Sequence, residues 1–513
     1  MKKSFFYRQK NIEAVLAAIA GFLIVMLYTR YSGIGVSPDS VVYTSVARNL
    51  NAGLGMLEFG RKPLIEFPVG FPVFLGIIQF FFRLDPILTA PYVTATLFAA
   101  VLLCTSYLFD TFSFRSVWYK YIILISIILS PSLLEIYTKL WSETLFILLV
   151  MLFLLSWKKY VQLHRQKWLI VSAVIAAVAC VTRYAGITIV LTGSLLLVLD
   201  TSLAPGKKIK HLFIFNLLGI PLLAANLLRN LMLGNNLTGN RQKSIVSTMD
   251  ILQHFGSTIN TWLTFPESLA NAYASFTAII LLSGFVLLFG WRLFRSRFLS
   301  AENIIVCFFL VYVFFILTSS AITRYETIGN RLLAPAFIPL LLGSTSWLIA
   351  FFHQHQKTKL RYLNVLFLLA FLFFPFREYQ TDQERYEAEN EYGVPGYTDD
   401  SWNNSPFAAF LRKHPQVFKA DLPAYSNASD AFYFFSGLPC QLLPNHHYPW
   451  QSKEFANIKT GYLVWFDAKN EPDLLSLQEI EQLKNLKLLY KLPDGKVYYY
   501  TATSDKNNQK LKK

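Results

Sequence analysis

Long apolar segments recur along most of this chain, and short clusters of lysine and arginine separate them. The first segment runs from about Ile12 to Tyr28, and the last ends near Phe376. A helix of about 20 apolar residues is long enough to cross a bilayer. Because 54% of the residues are hydrophobic, the chain is too apolar for a water-soluble protein. The sequence therefore predicts an α-helical polytopic membrane protein.

The charge distribution favours a membrane protein over a nucleic-acid-binding one. A formal net charge of +16 is compatible with a nucleic-acid partner. However, the basic residues lie in small groups between apolar segments, which is the pattern that sets membrane topology. Cys104, Cys180 and Cys307 lie in apolar runs, and only Cys440 lies in a polar region. Neither a disulfide framework nor a cysteine-based metal site is predicted.

The apolar run from Phe67 to Phe82 decides the predicted topology. The run is short and contains Pro68 and Pro72. If it crossed the membrane, every later basic cluster would lie on the opposite side of the bilayer. As an interfacial or re-entrant segment, it leaves all basic clusters between spans on one side. The first segment resembles a signal peptide but lacks a small-residue cleavage site. We therefore predict about eleven spans, a cytoplasmic amino terminus and an extracytoplasmic carboxyl terminus.

A short helix is predicted directly after the first span. Ser37 is a suitable N-cap, Pro38 fits the first turn, and Gly53 marks the end. Asp39 would then lie at the helix N-terminus, where the backbone dipole favours a carboxylate. Asp39 is either part of this cap region or a base that takes a proton from an incoming nucleophile. The residues themselves favour neither interpretation.

Further polar residues are predicted to reach the outer face at several turns between spans. Charges at span ends are usually solvated, but acids and arginines that recur at several outer turns suggest a polar cavity. Arginine binds phosphate oxygens bidentately, and a carboxylate can deprotonate a hydroxyl. The pattern therefore predicts group transfer from a lipid-linked phosphate. The residues are Glu66, Glu135, Lys139, Glu143, Arg183, Tyr184, Arg229, Asn230, Arg241, Arg324, Glu326, Asn330 and Arg331.

Several short motifs along residues 12 to 376 carry a family resemblance. They are Pro38-Asp39-Ser40 with Tyr43, Ala47-Arg48-Asn49-Leu50, Gly53-Leu54-Gly55, Phe67-Pro68-Val69-Gly70-Phe71-Pro72, Ser142-Glu143-Thr144-Leu145-Phe146, Thr182-Arg183-Tyr184, Arg229-Asn230 and Asn330-Arg331-Leu332-Leu333-Ala334-Pro335. In this order the set resembles the GT-C superfamily of polyprenyl-phosphate-sugar-dependent glycosyltransferases. The similarity is strongest to the bacterial branch that is related to protein O-mannosyltransferases and the lipid A aminoarabinose transferase.

The resemblance implies an inverting transferase with two carboxylates and a cationic phosphate site. Asp39 would be the catalytic base or orient the acceptor, and Glu143 would be a second catalytic carboxylate. Arg331 and Arg183 would bind the donor phosphate. The remaining motif and loop residues are assigned to substrate binding: Tyr43, Arg48, Glu66, Arg229 and Asn330.

The chain departs from the family pattern at two positions. Many relatives have two acids together in the first loop, whereas Ser40 follows Asp39 here. This difference puts a metal-assisted mechanism in doubt, so a divalent cation is left open and no metal ligand is assigned. The aminoarabinose transferase has a lysine before its paired prolines, and Phe67 stands before Pro68 in this chain. One expected phosphate contact is thereby removed.

The composition changes from apolar to charged and polar after Phe376. We therefore predict three domains. They are a transmembrane catalytic domain (1–376), a small extracytoplasmic α/β domain (377–505) and a disordered basic tail (506–513). The α/β domain would be a lid over the cavity or an acceptor-binding module. Its predicted strands are residues 422–426, 461–466, 487–490 and 496–501, and its predicted helices are residues 429–435 and 475–486.

Two other classes of function remain open at this stage. A transporter or a glycan-presenting membrane protein is one, although transporters carry ionisable residues near the bilayer midplane and these spans are mostly free of charge. A ligase or polymerase that uses a diphosphate-linked glycan is the other. The motifs, and the lack of eukaryotic retention signals, favour the bacterial inner membrane. The predicted partners are a polyprenyl-phosphate sugar, a glycan, lipid or protein acceptor, and the bilayer, with no nucleic acid.

Overall fold

The computed structural model describes residues 12–114, 116–294, 299–324, 326–354, 361–469 and 471–502. The chain divides into two compact units whose segments alternate along the sequence. The first comprises Met1–Ile34, Leu64–Phe74 and Ile87–Glu391, and the second comprises Gly35–Pro63, Leu75–Pro86 and Tyr392–Lys513. The predicted disordered tail, residues 506–513, lies outside the described residues. Part of the first loop thus belongs to the same unit as the C-terminal residues, and the three predicted domains stay a prediction.

The described residues are mostly helical. The helices are α1 Ile12–Tyr28, α2 Pro38–Asn51, α3 Gly70–Phe82, α4 Pro86–Phe109, α5 Val117–Ile128, α6 Pro131–Tyr137, α7 Glu143–Leu163, α8 Gln166–Thr182, α9 Ile187–Leu199, α10 Pro205–Gly219, α11 Pro221–Gly234, α12 Thr248–Trp262, α13 Glu267–Ala272, α14 Ala274–Leu293, α15 Ala301–Ile322, α16 Asn330–Gln354, α17 Arg361–Tyr392, α18 Asp400–Asn403, α19 Pro406–Lys413, α20 Ser429–Ser436, α21 Pro449–Asn457 and α22 Leu477–Leu483. The strands are β1 Gln242–Lys243, β2 Thr323–Arg324, β3 Ala424–Ser426, β4 Gln441–Leu442, β5 Thr460–Phe466, β6 Lys484–Leu492 and β7 Gly495–Ala502.

Within the described residues, five helices are long and apolar enough to cross a membrane: α4, α7, α14, α15 and α16. The number becomes seven if each of two bent pairs is one span. The pair α5 and α6 bends by 51°, and the pair α10 and α11 bends by 42°. Pro131 and Pro221 begin the second helix of each pair, and proline lacks the N–H that would continue the first helix. The eleven-span topology stays a prediction.

The run around Phe67 to Phe82 forms helix α3, which has 13 residues and is shorter than the helices that could span. Its first residue packs closely in the first unit. A Cβ at Gly70 would lie 2.5 Å from the carbonyl oxygen of Val181, so only glycine fits without displacement. This close approach fixes the end of the first loop beside the C-terminus of α8.

The helix predicted after the first span is confirmed as α2. The Ser37 side chain accepts a hydrogen bond from the Ser40 N–H, and the Ser40 side chain accepts one from the Ser37 N–H. This reciprocal pair is a capping box, and Pro38 occupies the first turn. Gly53 follows the helix with φ +75°, a conformation that glycine adopts without strain.

The second unit contains a mixed sheet of five strands in the order β4-β3-β5-β7-β6. Strand β3 pairs parallel with β4 and β5, whereas β7 pairs antiparallel with β5 and β6. The predicted strands are confirmed with shifted ends. The predicted helix over residues 475–486 is wrong at its C-terminal end, because Lys484 already begins β6. The buried Lys484 ammonium there donates to the carbonyl oxygens of Ala456 and Ile458.

The first-loop segment and the residues after α17 are hydrogen-bonded within the second unit. The Tyr397 N–H donates to the Val36 carbonyl oxygen at 2.8 Å. Gly396 has φ +146°, and a Cβ there would lie 2.6 Å from the same oxygen. The Tyr397 hydroxyl donates to Asp430 Oδ2 at 2.5 Å. These contacts support the backbone directly before Ser37.

The Tyr397–Asp430 pair predicts a pH dependence of stability. Burial raises the pKa of Asp430 above its usual value, although the Tyr397 hydrogen bond opposes the rise. The folded state therefore holds this proton more tightly than the unfolded state. Its contribution to the free energy of unfolding is complete below the ordinary aspartate pKa of about 3.9 and decreases as the pH rises through the raised value.

We therefore expect the melting temperature of the wild type to exceed that of Asp430→Asn by more at pH 4 than at pH 7. Thermal unfolding of the detergent-solubilised protein measures this difference. The control is Asp421→Asn, which changes an exposed acid of the same unit. A difference that is independent of pH, or one that grows toward pH 7, would contradict the assignment.

Candidate functional site

A buried carboxylate joins the ends of three helices in the first unit. Glu143, the first residue of α7, is fully buried. Its Oε1 atom lies 2.6 Å from Arg183 Nη1 and 2.7 Å from Arg331 Nε. Two guanidinium groups thus share one carboxylate, and their side chains remain 17% and 16% exposed. A buried charge is stable in this position because it is paired and hydrogen-bonded.

The local backbone explains why Arg183 points into this cluster. Helix α8 ends at Thr182, and Arg183 adopts an extended conformation with φ −147° and ψ 142°. The chain then turns tightly at Tyr184–Gly186, where a Cβ at Gly186 would lie 2.4 Å from the Ala179 carbonyl oxygen. Arg183 Nη1 also donates to Ser142 Oγ at 2.9 Å. Glycine permits the turn that brings the arginine to the start of α7.

Arg331 is held by an aromatic ring as well as by Glu143. Its guanidinium carbon lies 4.4 Å from the centre of the Trp141 ring, and Lys139 Nζ lies 4.6 Å from the same centre. Arg331 Nη1 is 3.3 Å from Glu326 Oε2, on a side chain that is 47% exposed. A cation beside an aromatic face is stabilised electrostatically. Trp141 was not among the sequence-predicted site residues, although it directly precedes the Ser142-Glu143 motif.

Asn330 lies at the start of α16, where its side chain contacts the protein. Its Nδ2 atom donates to Glu135 Oε2 at 2.8 Å and to the Ser132 carbonyl oxygen at 2.9 Å. Its Oδ1 atom accepts from Trp262 Nε1 at 2.9 Å. These contacts anchor the first turn of α16, which carries Arg331. The structure therefore gives Asn330 a supporting position beside the arginine cluster.

Arg229 and Asn230 hold the backbone of the first loop. Arg229 Nη1 donates to the Leu64 carbonyl oxygen at 2.7 Å, and Asn230 Nδ2 contacts the Ile65 carbonyl oxygen at 3.2 Å. Arg241 Nη2 donates to the Glu66 carbonyl oxygen at 3.2 Å, while the residue Glu66 is exposed. Three consecutive carbonyl groups are thus fixed by side chains from α11 and the following loop. This backbone-anchoring role could not be recognised from the sequence.

The other predicted site residues lie on α2 in the second unit. The capping box uses Ser37 and Ser40, so Asp39 is a partly exposed carboxylate in the first turn and is not the cap. Tyr43 is buried. Arg48 forms a bidentate pair with Asp85, with Nε–Oδ2 at 2.7 Å and Nη2–Oδ1 at 3.0 Å. Burial alone would lower the pKa of the Arg48 guanidinium. The hydrogen bond and the charge of Asp85 together outweigh burial, so the pKa is raised overall.

The described part of the chain holds no group of three His, Cys, Asp or Glu side chains arranged for a metal ion. The Arg48–Asp85 pair was not predicted, because only the fold brings these positions together. The sequence thus predicted a shared cavity for Glu143, Arg183 and Arg331, but not the partners that hold several predicted residues.

The overall fold matches solved structures across nearly the whole chain. ArnT from Cupriavidus metallidurans bound to undecaprenyl phosphate is 12% identical, with a TM-score of 0.58, and the match covers 94% of this chain and 97% of ArnT. Archaeal oligosaccharyltransferase AglB from Archaeoglobus fulgidus, in complex with an inhibitory peptide and a dolichol-phosphate, is 10% identical, with a TM-score of 0.55. That match covers 96% of this chain and 75% of AglB. The protein has the GT-C fold.

The predicted resemblance to the GT-C superfamily is confirmed as a likeness of fold. The sequence matches no protein-family model and no curated protein. The ArnT structure in the apo state gives a similar match, with 12% identity, a TM-score of 0.57, and coverage of 97% of this chain and 98% of ArnT. Together with the apolar helices, the GT-C fold identifies a multi-pass membrane protein.

Proposed function

We propose that the protein is a membrane glycosyltransferase that transfers a sugar from a polyprenyl-phosphate donor to an extracytoplasmic glycan, lipid or protein acceptor with inversion at the anomeric carbon. The observation that carries the proposal is the cluster of Arg183 and Arg331 around buried Glu143. Guanidinium groups bind phosphate oxygens bidentately. The GT-C fold supports the proposal, because one protein with this fold was solved with undecaprenyl phosphate and another with a dolichol-phosphate.

In the proposed reaction, the acceptor hydroxyl oxygen attacks the anomeric carbon and the bond from that carbon to the phosphate oxygen breaks. The hydroxyl proton passes to the Asp39 carboxylate. The electron pair of the broken bond stays on the polyprenyl phosphate, which gains a negative charge as it leaves. Arg331 and Arg183 stabilise that charge. Because the positive groups are already fixed by Glu143 and Trp141, little reorganisation is needed during the reaction.

Glu143 is assigned a positioning role in this proposal, which revises the catalytic role that the resemblance implied. One of its oxygens already accepts charge-assisted hydrogen bonds from two arginines. Proton transfer to Glu143 would neutralise the carboxylate that the two arginines share and weaken both ion pairs. Glu143 is therefore better suited to aligning the phosphate-binding groups. Asp39 is partly exposed and is not needed as the helix cap, which favours its assignment as the base.

The remaining assignments fall into two groups. Arg48, Arg229 and Asn330 form contacts within the protein that suit a role in shaping the binding surfaces. Tyr43 and Glu66 stay predicted substrate-binding residues. The C-terminal α/β domain stays a predicted lid or acceptor-binding module, and the bacterial inner membrane stays the predicted location.

The alternative within the same fold is a ligase that transfers a whole glycan from a diphosphate-linked carrier. Its support is the structural match to an archaeal oligosaccharyltransferase. A diphosphate donor presents two phosphate groups to the arginine cluster, whereas the proposed donor presents one. A panel of monophosphate and diphosphate donors separates the two reactions.

Binding of the lipid carrier tests the phosphate site without requiring the sugar to be known. We expect the purified protein to bind polyprenyl phosphate but not the corresponding polyprenol. Arg331→Ala should weaken binding by about tenfold to a hundredfold, since a hydrogen bond to a charged group is worth roughly 1.5–3 kcal/mol. The control is Arg165→Ala, because Arg165 is exposed at the opposite end of the helix that Arg183 follows. Equal binding of phosphate and alcohol, or full binding by Arg331→Ala, would contradict the proposal.

A further inference from the structure

A groove in the first unit lies beside a second ionic cluster, which the proposed reaction does not use. The groove has a volume of about 810 Å³ and is formed by α1, the end of α4 and α5. Its polar lining includes Glu13, Asp110 and Lys120, and most of the remaining lining is apolar. Such an arrangement provides separate regions for a charged group and a hydrocarbon chain.

Among the residues that the structure describes, the ionic cluster contains two carboxylates and one ammonium. Lys120 Nζ donates to Glu13 Oε1 at 2.9 Å and to Asp110 Oδ2 at 2.8 Å. The Lys120 side chain is 5% exposed, whereas those of Glu13 and Asp110 are 19% and 30% exposed. Among the described residues, each carboxylate uses one oxygen for these hydrogen bonds and its second oxygen has no partner. The two partly exposed carboxylates can therefore accept hydrogen bonds from an additional cation.

The apolar part of the groove follows the helices away from these charges. Leu16 and Ala20 line it on α1, and Leu124 and Ile128 line it on α5. Lys120, Leu124 and Ile128 follow one another at intervals of four residues on α5, so their side chains share one face of the helix. The small side chain of Ala20 leaves room between the two helices. A hydrocarbon chain attached to a group at Lys120 could lie along this face.

We propose that this groove binds a membrane phospholipid whose headgroup carries a primary ammonium, with an acyl chain between α1 and α5. The ammonium would donate to the second oxygens of Glu13 and Asp110. The lipid phosphate would accept from Lys120, which has three N–H donors and uses two of them for the carboxylates. The surplus negative charge disfavours an anionic headgroup, and a quaternary ammonium has no N–H to donate.

Competitive lipid binding tests this inference independently of transferase activity. The full-length protein is transferred into an equimolar mixture of phosphatidylethanolamine, phosphatidylcholine and phosphatidylglycerol with identical acyl chains, and retained lipid is measured by native mass spectrometry. We expect phosphatidylethanolamine to be retained about tenfold over phosphatidylcholine, because charge-assisted hydrogen bonds are lost with the quaternary headgroup. Equal retention of these two lipids, or preferential retention of phosphatidylglycerol, would overturn the proposal.

Two variants identify the site. The double variant Glu13→Gln with Asp110→Asn should lose the preference for the primary ammonium, whereas Asp250→Asn, at an exposed position on α12, should retain it. Because the double variant also removes partners of Lys120, Ala20→Trp provides a second test: it fills the apolar part of the groove and leaves the ionic cluster intact. This variant should lose bound phosphatidylethanolamine. Wild-type retention and preference in Ala20→Trp would overturn the proposal.

Discussion

Replacing Arg331 with alanine is expected to reduce transfer from the polyprenyl-phosphate donor by about a hundredfold to a thousandfold, comparable to removing one preorganised donor that stabilises a developing anion. The physical reason is the loss of the guanidinium that is proposed to stabilise the leaving phosphate. Glu143 would still be paired with Arg183 in this variant, so the protein should fold. The measurement is the rate of transfer at saturating acceptor, with thermal unfolding as the check on folding.

The matched variant Arg331→Lys separates charge from geometry. Lysine keeps a cation near Glu143 and Trp141 but lacks the planar fork that meets two phosphate oxygens. We expect activity between that of the wild type and that of Arg331→Ala. If Arg331→Lys and Arg331→Ala were both as active as the wild type, the cluster around Glu143 would not be the donor-phosphate site.

Replacing Asp39 with asparagine should lower the rate of transfer by about a hundredfold to ten thousandfold, the range typical of losing a general base. The change preserves the size and polarity of the side chain and removes its ability to take the acceptor proton. Binding of polyprenyl phosphate should be unchanged, because the proposed phosphate contacts come from other residues. Comparing the transfer rate with the dissociation constant of the lipid distinguishes a base from a donor-binding group.

Ser40→Ala is the control that distinguishes catalysis from helix capping. It removes one half of the capping box at Ser37 and Ser40 and leaves the Asp39 carboxylate in place. We expect it to reduce stability by about 1 kcal/mol while retaining most of the activity. A Ser40→Ala variant as inactive as Asp39→Asn would show that the start of α2 matters through its structure alone.

Local signals in the sequence were sufficient to predict α2 and most elements of the C-terminal sheet. Ser37 and Pro38 start α2 through interactions within one helical turn. The αL conformation of Gly437 ends α20 in the same local way. The predicted helix near Lys484 was too long because its end depends on a buried ammonium and carbonyl groups elsewhere in the unit.

The ionic contacts of the site depend on tertiary structure and were predicted only as a group. Arg331 and Glu143 are 188 residues apart in the chain, so the sequence indicated a shared cavity but not their direct pairing. Arg48 was assigned to substrate, yet it pairs with Asp85, 37 residues away. Arg229 was likewise assigned to substrate, and it binds a backbone carbonyl of the first loop. A charged side chain at a span end carries no sequence signal that distinguishes a ligand contact from an internal one.

Sugar transfer in proteoliposomes measures the proposed reaction itself. The assay supplies radiolabelled sugars on polyprenyl phosphate and on polyprenyl diphosphate to the wild type, Asp39→Asn and Arg331→Ala, with and without a chelator. We expect transfer from a monophosphate donor by the wild type and its near-complete loss in both variants. Comparing the transfer rates with and without the chelator shows whether a divalent cation is required. If the folded wild type neither transferred sugar from any monophosphate donor nor hydrolysed one, the protein would not be a polyprenyl-phosphate-dependent transferase. Transfer from the diphosphate donors alone would favour a ligase.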